Sequence, residues 1–515
     1  MPSRTIHTKP NGAKYVYEVT SYWDKEKKAP RNKQVCLGRL DEATGEIKPS
    51  KRRNSSSTLP IEVKPNATTL VVGPTALLDH IATDIGLKNI LRDCFPKKWL
   101  QILSLAYFLV QKGLPLSRCE TWSISHNHPH GNEIKSQRVS ELLQDLTSSG
   151  QYDFFRAWMH HLAEKDCFYY DITSVSSYSE QNEYVRFGHN RDKEKLPQIN
   201  LGMIYGQQSG LPGYFRRMPG NISDVSTLQA TMKSLDFIGQ TRLTFIMDRG
   251  FYREVNVDAL FDAKYRFILM CPKRQWTEAL FEAHGEDILS SKYRHAMNEH
   301  EVLYMKTVKH NWKGRRCYAH LYYNNVMAAE ELDDFMFKLA LWQEELSCRN
   351  ERPENRWAYK KYFIVKDTPK RGLMVTENLE AVEKTKKKHV GFFCLLTRHK
   401  ADALAVIEIY RNKQAVENCF DDLKNMLDMK RLRIQSSQAM DARLFIQFIA
   451  LILLSKVRLV KNQHHKLRHL TVREIMEFME TITEIRLSNK QRSIITEAGP
   501  TQRNIMEHFG VSRKT

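Results

Sequence analysis

Nine cysteines are scattered through the 515 residues, and no two of them form a CxxC pair. Zinc ribbons need such pairs and secreted disulfide frameworks need denser cysteines, so neither is expected; reduced thiols in a cytosolic protein fit. Long apolar runs are also lacking. The strongest, LFIQFIALILL at 444–454, contains Gln447 and is too short to cross a bilayer, so it reads as a buried core helix. The N-terminus, MPSRTIHTKPNGAK, has no apolar segment of the kind a signal peptide needs. With 22 Gly and 17 Pro the composition is neither collagen-like nor disordered. Acid is in deficit: 59 Asp and Glu face 79 Lys and Arg, for a net charge of +20. So basic a chain points to a polyanionic partner, and without a membrane span that partner is nucleic acid.

A hydrophobic content of 42% over this length supports a large core and two to four domains. Residues 1–66 read as a small β-rich basic module and linker. YVYEVTSYW and KQVCLGRL alternate like strands, KRRNSSSTLP at 51–60 reads as linker, and 14 Lys and Arg stand against 7 Asp and Glu. Residues 67–165 read as a helical DNA-binding domain. KKWLQILSLAYFLVQKG has helical apolar spacing, and Ser136 is placed to cap VSELLQDL. The alternating His126, His128 and His130 of HNHPHG suggest a solvated loop, with a metal site as the alternative.

From 166 the texture becomes α/β. CFYYDITSVSSYS, LPQINLGMIYG and LPGYFRRMPG predict a three-strand meander. VSTLQATMKSLDFIG then predicts a helix capped by Asp224, RLTFIM a strand, VNVDALFDAK a helix and YRFILMC a strand. Residues 166–271 are thus the first part of a core with a mixed sheet. Residues 272–389 read as a β-rich insertion, with bases and aromatics interleaved in NWKGRRCY and RWAYKKYF. Residues 390–455 return to the core through the strand VGFFCLLT and a long helix, and 456–515 form a C-terminal helical region.

Three carboxylates stand out. Asp171 interrupts an apolar strand, where Asp is disfavoured; it is either a polar-face or strand-end residue or a functional one. Asp248 ends the buried-looking strand RLTFIM, and carboxyl ends of strands are where α/β sheets build their sites; an ordinary turn-capping role is the alternative. Glu417 lies in YRNKQAVENCFDDLK, 410–424. At about 100° per residue, Tyr410, Lys413, Glu417 and Lys424 fall within roughly 60° of one another, beside the apolar stripe Val416, Phe420, Leu423 and Leu427. Taken alone, this face reads first as an ordinary amphipathic helix with i,i+4 charge pairs such as Lys413 to Glu417. Taken together, the three acids suit a hard divalent cation, and two such ions clamp an in-line phosphoryl displacement. The bases on the same face suit backbone phosphates.

DITS, MDRGF and Y-x2-K-x3-E-x6-K, in that order, resemble the DDE transposases of bacterial insertion sequences. They are most similar to the IS-four-like branch with its Tyr-Arg-Glu-Lys signature. PGNISD at 219–224 and the N-terminal GRLDEATGEI fit the same resemblance, which covers roughly 166–450. It implies a ribonuclease-H-like catalytic core interrupted by a β-rich insertion. Asp171, Asp248 and Glu417 would be catalytic metal ligands for two Mg²⁺ ions, with Mn²⁺ able to substitute. Tyr410, Lys413 and Lys424 would hold DNA, and Arg249 is a further candidate contact. The implied reaction is cleavage at the element's ends and transfer of the freed 3′-hydroxyls into target DNA. The implied partners are terminal inverted repeats, target DNA and a second copy of the chain on DNA, in the cytoplasm with the nucleoid. Lys413 stands where the signature has Arg, which replaces a bidentate fork by a point charge; Arg411 lies about 160° away around a continuous helix. The rival reading is a catalytically silent, sequence-specific DNA-binding protein derived from a transposase. A ribonuclease-H-like nuclease or resolvase is a third.

Overall fold

The computed structural model describes residues 3–24, 29–42, 44–49, 67–162, 167–222, 224–237, 243–370, 372–487 and 493–511. The expected linker at 51–60 lies outside the described residues. Two compact units form, Met1–Thr68 with Arg486–Arg492, and Thr69–Ile485 with Ser493–Thr515.

In the first unit, the strands Ser3–Thr8, Lys14–Asp24, Ala29–Leu40 and Ile47–Pro49 pair antiparallel in sequence order. Ala13, Val16 and Val19 are buried, while Ile6, Tyr22 and Trp23 are exposed. The strand alternation expected from YVYEVTSYW is present.

The second unit is organised by a sheet of ten strands: β1 (Cys167–Ser177), β2 (Gln198–Gly206), β3 (Pro212–Pro219), β4 (Thr244–Met247), β5 (Arg266–Cys271), β6 (Arg294–Asn298), β7 (Glu301–Trp312), β8 (Arg315–Asn324), β9 (Phe392–Thr397) and β10 (Arg431–Leu432). Their order is β6-β7-β8-β9-β5-β4-β1-β2-β3, with β10 beside the end of β1. β1, β2 and β3 form the expected antiparallel meander, whereas β1, β4 and β5 run parallel. This mixed sheet, covered by helices, is compatible with a ribonuclease-H-like core.

Both faces of β1 are covered, which is why Phe168 to Ser177 are all buried. Successive side chains point to opposite faces. The Tyr170 hydroxyl accordingly meets Thr231 on the helix Asp224–Phe237, while Tyr169 donates to the carbonyl of Ile409 on the other side. Asp171 shares the face of Tyr169.

Four helices complete the frame: α1 (Trp99–Lys112), α2 (Ala403–Arg411), α3 (Gln414–Asn425) and α4 (Ser437–Gln463). The run 444–454 is buried in α4, as its composition implies, and no described helix is long and apolar enough to cross a membrane. α4 packs against α1 and other helices of the expected helical segment. That segment also covers the sheet: Phe155 meets Tyr214 and Phe215 of β3, and Trp158 donates its indole N–H to the carbonyl of Pro212.

Several local expectations are corrected. Ser136 is the first helical residue of Ser136–Asp145, and the cap position falls on Lys135, which makes no side-chain capping bond. HNHPHG is no solvated loop. His126 and His128 are buried against Trp122, and His128 is bonded to Ser104 and Ser123. The indole and the partner hydroxyl and carbonyl remove these rings from water. Residues 272–389, expected as an insertion, divide in two. β6, β7 and β8 extend the central sheet, because β8 finds its partner in β9, some seventy residues later. The remainder is mainly helical with one hairpin, Phe363–Thr368 and Gly372–Glu377. It closes a core of its own around Trp342, Tyr359, Tyr362 and Val382.

Candidate active site

The register of the parallel strands brings the two aspartates together. β1 pairs Tyr169 with Ile246 of β4. The same offset, continued by two residues, sets Asp248 level with Asp171. Asp248 leaves β4 and caps the short 3-10 turn Arg249–Phe251, its Oδ1 accepting from the Arg249 N–H at 2.6 Å. The chain turns outward there, leaving Arg249 exposed beside the carboxylate.

Glu417 comes from the helical side, but the helix is not continuous. It breaks at Asn412–Lys413 into α2 and α3. Bonds of three-residue span, Lys413 N–H to Tyr410 C=O (3.1 Å) and Val416 N–H to Lys413 C=O (2.9 Å), tighten the chain at the junction. A 3-10 turn advances each residue further around the axis than an α-helix does. Neither proline nor glycine marks the break. α3 then packs through Val416, Cys419, Phe420 and Leu423, and Leu427 just beyond its end is buried with them.

At this junction Lys413 points inward. Its side chain is 10% exposed, and its Nζ lies 3.2 Å from Asp248 Oδ2, 3.7 Å from Glu417 Oε1 and 3.9 Å from Asp171 Oδ2. Three acids from β1, from the end of β4 and from α3 thus converge on one ammonium. Arg191 adds a second cation 3.8 Å from Asp171 Oδ1. At an effective dielectric of about 20, one pair at 4 Å is worth about 4 kcal/mol of attraction. Several such pairs offset the several kcal/mol that desolvating the ammonium costs.

The remaining candidates are placed as follows. The Tyr410 hydroxyl donates to Asp248 Oδ1 at 3.1 Å and also lies 3.1 Å from Met270 Sδ. Lys424 is nearly buried and paired to both oxygens of Asp192 at 2.7 Å. Arg411 is turned away into a fork on Glu301 (2.8 and 2.6 Å). Asp192, Arg191 and Glu301 were not singled out from sequence; lying far away along the chain, they carry no local pattern to give them away. In NWKGRRCY, Lys313 pairs with Glu254 and Asp258, Arg315 pairs with Asp262, and Trp312 is buried. In RWAYKKYF, Trp357 is exposed while Tyr359 and Tyr362 are core.

Burial pushes the Asp171 carboxyl above the usual range despite the attraction of Lys413. Burial acts on Asp248 in the same sense but is overcome. The Lys413 charge and the hydrogen bonds from Arg249, Lys413 and Tyr410 hold it below the usual range. Burial and the Asp248 charge drive the Tyr410 hydroxyl far up, so it stays a donor.

An all-carboxylate donor set suits a hard divalent cation, and the ammonium already among the acids shows that they favour positive charge. Among the described residues, however, no group of three His, Cys, Asp or Glu side chains is close enough to hold a metal ion as they stand.

The sheet thus carries one acid at the centre of β1 and one at the end of β4, with a third on α3 drawn to the same ammonium. A family model described as "Transposase DDE domain" matches residues 163–453, over half of the chain, and the chain belongs to that family. No curated protein matches the sequence. Among solved structures, the chain is distantly similar to a piggyBac transposase, determined by cryo-EM as a synaptic complex with hairpin DNA. The identity is 10% and the TM-score 0.33, over 78% of this chain and 70% of that one.

Proposed function

We propose that the chain is a DNA transposase that cleaves the ends of its insertion sequence and transfers the 3′-hydroxyls into target DNA by two-metal phosphoryl transfer. The observation that carries this reading is the convergence of Asp171, Asp248 and Glu417 on one cation position. Those three residues would hold Mg²⁺, or Mn²⁺ in its place. The ions would supply positive charge against the oxygens of the reacting phosphate.

The chain's own side chains do the rest. Tyr410 fixes the Asp248 carboxylate by its hydrogen bond. Arg249, exposed beside Asp248, is placed to meet a backbone phosphate. Lys413 and Lys424 would reach phosphate only after leaving their present carboxylate partners. The net charge of +20 suits a long polyanion. The Tyr-Lys-Glu-Lys spacing supports placement in the IS-four-like branch, and with it a bacterial, nucleoid-associated protein that pairs with a second copy to cut two ends together.

The test is nicking of duplex DNA carrying the element's flanking ends, with and without Mg²⁺. Wild type should nick at the end only with metal, and Asp171→Asn and Glu417→Gln should not nick. Binding without cleavage by the wild type would favour a silent end-binding protein instead.

A further inference from the structure

A lysine that serves only to grip a DNA backbone belongs at the rim of a site, its ammonium in water. Lys413 is 8% exposed and has its ammonium among all three acids. The three acids come from separate elements, so nothing local forces them together. Without a cation, three like charges would face one another at short range. The acids are spaced around this nitrogen, and among the described residues they do not form a group close enough to hold a metal.

The geometry points to a second role. We propose that Lys413 is an internal counter-ion of the metal-free protein: its ammonium gathers Asp171, Asp248 and Glu417 and gives up its place when a divalent cation binds. This inference rests on reading the three acids as metal ligands.

The residue type and its position suit this role. A compact ammonium on a flexible stem can occupy a cation position and leave it, whereas a planar guanidinium would need a wider, forked surround. Lys413 sits at the junction of α2 and α3, where the backbone is outside both helices. Glu417, one turn on, is half exposed and marks the solvent side of the cluster. An ammonium leaving the acids has that side as its outlet, where a DNA phosphate would lie. A divalent ion and the ammonium repel each other, so they compete for the same oxygens, and Lys413 weakens metal binding in the absence of DNA.

The test uses the full chain without DNA. Mn²⁺ binding is measured by titration calorimetry on the wild type and on Lys413→Met, which keeps the length of the side chain and removes its charge. We expect the variant to bind Mn²⁺ at least tenfold more tightly. In parallel, amine labelling of the wild type is read by mass spectrometry at Lys413, with and without Ca²⁺. We expect protection without the ion and labelling with it. Equal or weaker Mn²⁺ binding by the folded variant would overturn the proposal while leaving the acids as metal ligands. If the variant does not fold, the labelling decides: unchanged protection of Lys413 on adding Ca²⁺ overturns the proposal. Absence of Mn²⁺ binding in both proteins would overturn the proposal together with the reading of the acids on which it rests.

Discussion

Asp171 on β1 and Asp248 just past the end of the parallel strand β4 stand level, by the offset that pairs Tyr169 with Ile246, yet their surroundings act on them in opposite directions. Asp171 is buried and its carboxyl is pushed up; Asp248 is held down, burial being overcome by Lys413 and by hydrogen bonds. A raised carboxyl favours the folded state at low pH and opposes it once ionised. A depressed one favours it above the usual carboxylate range and loses that contribution as the pH falls through its folded value. At pH 7 in EDTA, Asp171→Asn should therefore be neutral or slightly stabilising. Asp248→Asn should lower the melting temperature by about one degree, for a loss of about 1 kcal/mol at most once solvent screening of the half-exposed carboxylate is allowed for. Thermal melts of the two variants side by side check the contrast.

Tyr410 is expected to act on Asp248 as well as on DNA. Tyr410→Phe removes the hydroxyl that donates to Asp248 Oδ1 and leaves the ring packed. Hydrogen bonds to charged groups are worth about 1.5–3 kcal/mol, so single-turnover cleavage should slow by ~10-fold or more. The affinity for end DNA should change less than the rate, and a change in affinity alone would assign Tyr410 to DNA only.

Lys424 is committed to Asp192, with both carboxylate oxygens at 2.7 Å. Asp192→Asn frees that charge. We expect tighter binding to non-specific duplex, and a plot of log affinity against log salt steeper by about one phosphate contact. An unchanged slope would place Lys424 outside the DNA path.

Two buried histidines make the fold acid-sensitive. Burial lowers His126 to about 4, with neighbouring Lys112 adding to it, and lowers His320 to about 4, where its ring nitrogens meet Thr307 and Thr397. Between about 4 and 6.5 the unfolded chain takes up these protons and the folded one does not, so stability falls as pH drops through that window. Each ring contributes a loss on the order of 2–3 kcal/mol. Denaturant melts from pH 7 to pH 4.5 should show the decline, and His320→Gln should flatten it.

Much of the core was legible because its signals are local. Strand alternation and apolar runs gave β1 to β5 and β9, the strand-end position marked Asp248, and an acid inside an apolar strand marked Asp171. The break at Asn412–Lys413 was not legible, since it comes from three-residue hydrogen bonds with no proline or glycine to announce it; the burial of Lys413 among all three acids was not legible either, because two of them come from distant strands. Nor was the pairing of β8 with β9, because partners some seventy residues apart leave no periodic trace. His126 and His128 looked like loop residues because a Pro and a Gly flank them; the Trp122 ring that buries them is fixed by the fold.

The most direct measurement puts wild type and Asp248→Asn on the same end-bearing duplex, scoring binding and Mg²⁺-dependent nicking together. Asn keeps the shape of Asp248 and an oxygen that can still accept from Tyr410, so the variant should bind as the wild type does and fail to nick. Nicking by Asp248→Asn at the wild-type rate would contradict the assignment of Asp171, Asp248 and Glu417 as the catalytic acids.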